Sequence, residues 1–250
     1  MHKGHLTLVG AGPGDIELIS LKGINAIKKA DVILFDALIH PGLLEYNKKA
    51  EKIFVGKRRG NTSTPQIEIN ALIIHHVLKD KVVVRLKGGD PMVFARSVEE
   101  LNVVKELGIS STVVPGISSF LGAAASLQIP LTQREKHESF WVITGHTSTS
   151  NFSKDLYLAA QSTATIVILM GIKFLKEIIQ TFRQYKPGDY PIAVIQNATT
   201  TSEKYLLSDL SNVVDEVRSK ELKNPAVIII GNIAKDKLDH SIIKSKTEYA

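Results

Sequence analysis

The chain contains no cysteine. That excludes disulfides and thiolate metal sites, and it suits a reducing compartment. Aromatic residues are sparse at 6%, with a single tryptophan. Nowhere do they cluster with lysine or arginine in the way a nucleic-acid-binding surface requires. Long apolar runs are also missing. Ile166-Val167-Ile168-Leu169-Met170 is far too short to span a bilayer. The first residues, Met1-His2-Lys3-Gly4-His5, lack the apolar stretch of a signal peptide. We therefore expect a cytoplasmic protein with no membrane partner, no nucleic-acid partner and no metal.

What is present fits an ordinary globular protein. The chain has 250 residues, 44% hydrophobic and 22% charged, enough for one large domain or two of usual size. A net charge of +6 fits an anionic partner.

The first half alternates two hydrophobic periods. Leu6–Val9, Val32–Phe35, Ile53–Val55, Val82–Leu86 and Thr112–Val114 read as strands. Between them, Ser20 caps a helix running to Lys29, and a short helix follows over Gly42–Asn47. Thr64-Pro65 reads as an N-cap with proline at N1, opening a helix to Leu78. A further helix over Val98–Leu107 stops at Gly108. This alternation argues for a mostly parallel sheet with helices on both faces.

The second half is less regular. Ser118–Leu127 is a helix of small residues, followed by strands at Phe140–Thr144, Ala164–Leu169, Ile192–Ile195 and Ala226–Ile230. Helices fall at Lys173–Arg183 and Ser211–Lys220, with an antiparallel strand at Thr201–Leu207. We divide the chain into an N-terminal α/β domain over 1–115, a C-terminal α/β domain over 116–240 and a polar tail over 241–250.

Chemistry concentrates at three glycine-marked turns, each following a strand. They are Gly10-Ala11-Gly12-Pro13-Gly14-Asp15, Gly88-Gly89-Asp90-Pro91 and Pro115-Gly116-Ile117-Ser118-Ser119. Paired glycines let backbone approach a ligand, and strand C-termini are where open α/β sheets bind ligands. The first turn is not a dinucleotide fingerprint, because its spacing is G-x-G-x-G and Pro13 lacks an N–H. It is not a Walker loop either, since no Gly-Lys-Ser/Thr follows. Asp36 ends one strand and Lys57-Arg58-Arg59 follows another, which places them on the same sheet edge as Asp90. His75-His76 reads as ordinary helix surface or core. His146 and Met170 end strands of the second half.

These segments together resemble the tetrapyrrole methylase family over roughly residues 5–235. The carriers include Leu8-Val9-Gly10-Ala11-Gly12-Pro13-Gly14-Asp15, Phe35-Asp36, Val55-Gly56-Lys57-Arg58 and Pro65-Gln66. Further carriers are Val84-Arg85-Leu86-Lys87-Gly88-Gly89-Asp90-Pro91, Val113-Val114-Pro115-Gly116-Ile117-Ser118-Ser119 and Thr144-Gly145-His146. The strings around Lys57 and Pro65 are most similar to members acting on uroporphyrinogen III. The chain departs from the family at Phe94-Ala95-Arg96-Ser97-Val98-Glu99, where the family usually reads phenylalanine-glycine-arginine-glycine-glycine-glutamate, and at Gln133-Arg134.

The resemblance implies two α/β domains, the second with a mixed sheet, and a homodimer. It implies S-adenosylmethionine as cofactor, leaving S-adenosylhomocysteine, and a polyanionic tetrapyrrole as substrate. The reaction implied is methylation of uroporphyrinogen III at C-2 and C-7 to precorrin-2, for sirohaem or cobalamin. A related methylase acting on another precorrin, or a basic nucleic-acid-binding module, are the alternatives. By the same likeness Asp36 is the proton acceptor and Lys57 the proton donor. Pro13, Gly88, Gly89, Asp90, Val93, Ser118, Ser119, Met170 and Ala198 are implied cofactor residues. Arg58, Arg96, Glu99 and Arg134 are the candidates for substrate contact.

Overall fold

The computed structural model describes residues 4–56, 64–145 and 153–234. The chain divides into two compact units at Gly122–Ala123. The sequence reading placed this division at Pro115–Gly116. The difference arises because the third glycine turn packs against the other two inside the first unit.

The first unit contains β1 (His5–Gly10), α1 (Leu21–Lys29), β2 (Val32–Phe35), β3 (Glu51–Phe54), α2 (Gln66–Val77), β4 (Val82–Lys87), α3 (Ser97–Glu106) and β5 (Ser110–Val114). The strands form one sheet in the order β3-β2-β4-β1-β5. Every pairing in it is parallel, with Leu8 beside both Arg85 and Val113. Successive strand side chains point to opposite faces. Val84, Leu86 and Ile33 therefore pack with Ile27 and Leu43 on one side. Leu6, Leu8 and Val83 pack with Ile69, Ile73 and Val104 on the other. Burial on both faces explains the near-continuous apolar strands.

Local chemistry sets the helix ends. The Ser20 hydroxyl accepts a hydrogen bond from the Gly23 N–H at 3.1 Å, which starts α1. Gly108, just past α3, sits at φ +65° as the expected left-handed stop. Pro65 holds the cap position instead of N1. Its ψ of 145° is extended, so α2 opens one residue later, at Gln66. The expected helix at Gly42–Asn47 is a 3₁₀ turn over Pro41–Tyr46.

α4 (Ser119–Ser126) carries the chain across the division. The second unit contains β6 (Phe140–Thr144), α5 (Asp155–Gln161), β7 (Thr165–Leu169), α6 (Leu175–Phe182), β8 (Pro191–Gln196), β9 (Lys204–Asp209), α7 (Val213–Ser219) and β10 (Ala226–Ile230). Its sheet runs β6-β7-β10-β8-β9. β6 and β7 are parallel, while β10 is antiparallel to both β7 and β8, and β9 is antiparallel to β8. The sheet is therefore mixed, and β6, β7 and β8 share a C-terminal edge. Its core gathers Ile166, Ile168, Ile178, Phe182, Val194 and Ile228. Among the described residues, no helix is long and apolar enough to cross a membrane.

One buried side chain joins α1 to β3. The Asn47 amide donates to the carbonyls of Ile27 at 2.8 Å and Ala30 at 2.9 Å. Its Oδ1 accepts from the N–H groups of Lys49 at 3.1 Å and Ala50 at 3.0 Å. Removing one partner leaves the others buried and unsatisfied. Asn47→Ala should therefore lower the unfolding free energy by about 2–4 kcal/mol, measured by urea denaturation.

Candidate active site

β1, β4 and β5 end at one edge of the first sheet, and the three glycine turns meet there. Gly12 and Gly89 form an antiparallel bridge. The Gly12 N–H donates to the Gly89 carbonyl at 3.2 Å, and the Gly89 N–H donates to the Gly12 carbonyl at 2.7 Å. Asp90 laces the second turn to the third. Its Oδ2 accepts from the Gly116 N–H at 3.0 Å, and its Oδ1 accepts from the Met92 N–H at 2.7 Å. Asp90 is thus committed to holding the junction, though a carboxylate keeps lone pairs for a further donor.

The glycines serve this junction in different ways. A Cβ on Gly10 would stand 2.5 Å from the Gly116 nitrogen and 2.7 Å from the Gly89 carbonyl oxygen. A Cβ on Gly116 would strike the backbone of Gly10 and Gly89. At these positions the missing side chain allows loop-to-loop packing, not the approach of a ligand. A Cβ on Gly88 would lie 2.7 Å from the Leu38 Cβ. Gly89 is different. It sits at φ +69°, and the nearest atom to a Cβ there is the Ser119 nitrogen at 3.4 Å. Pro13, Ser118 and Ser119 belong to these turns, with Ser118 buried, and Val93 lies two residues past the second.

Asp36 follows β2 beside this junction. Its Oδ1 accepts from the Leu38 N–H at 2.9 Å and its Oδ2 from the Gly88 N–H at 3.4 Å. Behind it lies a set of charges that the sequence reading missed as functional. Arg85 and Lys87 point from β4 into the α2–α3 side of the core, at 5% and 4% exposure, toward fully buried Glu100 of α3. Lys87 Nζ is 2.7 Å from Glu100 Oε2, and Arg85 Nε is 3.2 Å from Oε1. Burial, followed by repulsion from Arg85, lowers the Lys87 pKa, and Glu100 opposes that shift. Arg85 Nη2 stands 3.9 Å from Asp36 Oδ2. The signal was present in the spacing. Two cations alternate in an apolar strand, and Glu100 shares the buried stripe of α3 with Ser97 and Val104.

The turn between β4 and α3 carries Arg96. Phe94 and Arg96 adopt φ +50° and +56°, a region most side chains avoid. The Ser97 hydroxyl donates to the Pro91 carbonyl and closes the turn. Arg96 grips Glu99 through two hydrogen bonds, of 2.8 Å and 2.7 Å. That fork raises the Arg96 pKa and lowers that of Glu99. Both side chains remain well exposed, at 60% and 46%.

The other expected site residues belong to the second unit or fall outside the described residues. Met170 directly follows β7 at φ +56° and is 42% exposed, so it is not core filling. Ala198 is buried in the turn after β8, between Asn197 at φ +51° and Thr199 at φ +67°. Arg134 is exposed. Lys57, Arg58, Arg59 and His146 lie outside the described residues.

Comparison with known proteins agrees with this architecture. Residues 5–214 match the family described as Tetrapyrrole (Corrin/Porphyrin) Methylases. A uroporphyrinogen-III C-methyltransferase of Methanocaldococcus jannaschii is 42% identical over 235 residues, covering 92% of this chain and 96% of that one. A siroheme synthase of Pseudoalteromonas atlantica is 41% identical over 92% of this chain, which spans only 50% of that longer protein. The crystal structure of uroporphyrin-III C-methyl transferase from Thermus thermophilus, complexed with S-adenyl homocysteine, aligns with a TM-score of 0.80. It is 34% identical, and the alignment covers 93% of this chain and all of that one. The chain belongs to the tetrapyrrole methylase family.

Proposed function

We propose that this protein is an S-adenosylmethionine-dependent C-methyltransferase that methylates uroporphyrinogen III at C-2 and C-7, giving precorrin-2. The observation that carries this reading is the junction of three glycine turns beside Asp36, at the C-terminal edge of a parallel sheet. The Methanocaldococcus relative is named for this activity, and the Thermus relative holds the demethylated cofactor. Relatives named siroheme synthase fit a product destined for sirohaem.

The residues present suit the cofactor. Gly89 offers uncrowded backbone, Asp90 keeps acceptor capacity for an amine or hydroxyl, and Ser118 and Ser119 are small and polar. The cofactor supplies an electrophilic methyl group, and a pyrrole carbon that gains it must shed a proton elsewhere on the macrocycle. Asp36, held by backbone N–H groups yet partly exposed, is the proposed acceptor of that proton. Lys57 is the proposed donor. A homodimer and a cytoplasmic location belong to the same reading.

Incubating the protein anaerobically with methyl-labelled S-adenosylmethionine and uroporphyrinogen III tests the proposal. A doubly labelled precorrin-2 is expected; transfer only to a later precorrin would replace uroporphyrinogen III as the substrate. Gly89→Val should abolish binding of S-adenosylhomocysteine in calorimetry. Gly108→Val is the control, because Gly108 has a similar φ of +65° with nothing within 4 Å of a Cβ. Equal affinity in the two variants would remove Gly89 from the site.

Arg96 meets the substrate's carboxylate rim on specific terms, because its fork already holds Glu99. Releasing an exposed pair costs about 0–1 kcal/mol, whereas a charge-assisted hydrogen bond contributes about 1.5–3 kcal/mol. The balance is about 0.5–3 kcal/mol, so Arg96→Ala should raise the substrate KM by about two- to 150-fold with S-adenosylhomocysteine affinity unchanged. An unchanged KM in the folded variant would leave Arg96 a helix-start ion pair only.

A further inference from the structure

The buried charges behind Asp36 are unusual for a central strand. Arg85 and Lys87 both lie in the core, yet Glu100 is the only buried acid among the described residues. One carboxylate balances one of the two cations. The surplus positive charge is directed out of the core, toward Asp36, through Arg85 Nη2.

The guanidinium has little freedom to turn elsewhere. Its Nε donates to Glu100 at 3.2 Å. Its Nη1 donates to the Leu86 carbonyl at 2.9 Å and lies 3.4 Å from the carbonyl of Leu34, two residues before Asp36 on β2. One planar group thus touches the backbone of β2, the backbone of β4 and the Asp36 carboxylate. Glu100 is steadied in turn by Lys87 and by the Gln66 amide at 3.4 Å. Buried ion sets seldom stabilise a fold more than apolar side chains of similar volume would. Their place here, directly behind a partly exposed carboxylate, indicates a role at that carboxylate.

We propose that Arg85, locked in place by Glu100, is the positioning residue for Asp36. It holds the carboxylate in one orientation against the Gly88 and Leu38 N–H groups, so the proton-accepting oxygens do not move as substrate enters. This rests on the reading of Asp36 as proton acceptor. At 5% exposure behind Asp36, Arg85 is placed to act through that carboxylate and not on a ligand directly. Its loss is therefore expected in kcat and not in binding.

The test is a double-mutant cycle on the full chain. Arg85→Met should lower kcat by about 10–100-fold, the scale of misplacing a reacting group by about 1 Å. The substrate KM and the S-adenosylhomocysteine Kd should stay within about twofold of wild type, as expected for groups that do not share partners. Arg85→Lys keeps the charge but not the fork and should fall between. In an Asp36→Asn background, Arg85→Met should add almost nothing, because its effect runs through the missing carboxylate. Glu100→Gln should behave like a milder Arg85→Met. If Arg85→Met does not fold, Arg85→Lys carries the same cycle. Losses that multiply across the cycle, or an unchanged kcat in folded Arg85 variants, would overturn the positioning role while leaving Asp36 as acceptor. Near-normal turnover in Asp36→Asn would overturn both readings together.

Discussion

No Cβ fits at Gly10 or Gly116, which close on each other and on the Gly89 carbonyl, and the candidate active edge is built on that constraint. Three strands deliver their C-terminal turns to one place. The turns close on one another through the Gly12–Gly89 bridge and the Asp90 carboxylate. Backbone groups that would otherwise need water or ligand are spent on this closure. The result is a rigid rim beside Asp36, assembled before any ligand arrives. Such preorganisation is what a methyl transfer needs, because the acceptor carbon and the S–CH₃ bond must align.

The turn after β4 also keeps backbone that most side chains avoid. Phe94 and Arg96 hold left-handed backbone there. Strained positions of this kind gather where function over-determines geometry. The buried Arg85–Glu100–Lys87 set follows the same logic. It sits in a strand whose other inward residues are apolar, and it ends at the carboxylate proposed to move a proton.

Much of the fold was legible in the sequence because two hydrophobic periods and a few breakers carry it. Ser20 capped its helix and Gly108 stopped another as their chemistry requires. The parallel sheet followed from strand–helix alternation. What failed has physical reasons. α5 buries only Leu156, Ala159 and Ala160, too small a stripe to announce itself. Pro41–Tyr46 is 3₁₀ rather than α, a choice made by packing and not by propensity in so short a turn. Of the site, the glycine turns and Asp36 could be placed, but their reasons could not. A glycine kept for backbone packing looks the same in sequence as one kept for a ligand. Arg85, Lys87 and Glu100 stayed hidden because charge inside a strand or helix ordinarily marks a solvated face.

The turn from Pro91 to Ser97 is fixed by a side chain of its own. The Ser97 hydroxyl fastens to the Pro91 carbonyl. Glycine would leave the turn free to sample several shapes. The serine closes it, and the closed turn hands Arg96 to Glu99 at the start of α3. In the proposed reading, a substrate carboxylate would meet a guanidinium already oriented by its own helix, which would reduce the side-chain entropy lost on binding. Specificity in this chain is therefore expected to come from a preset turn more than from a flexible one.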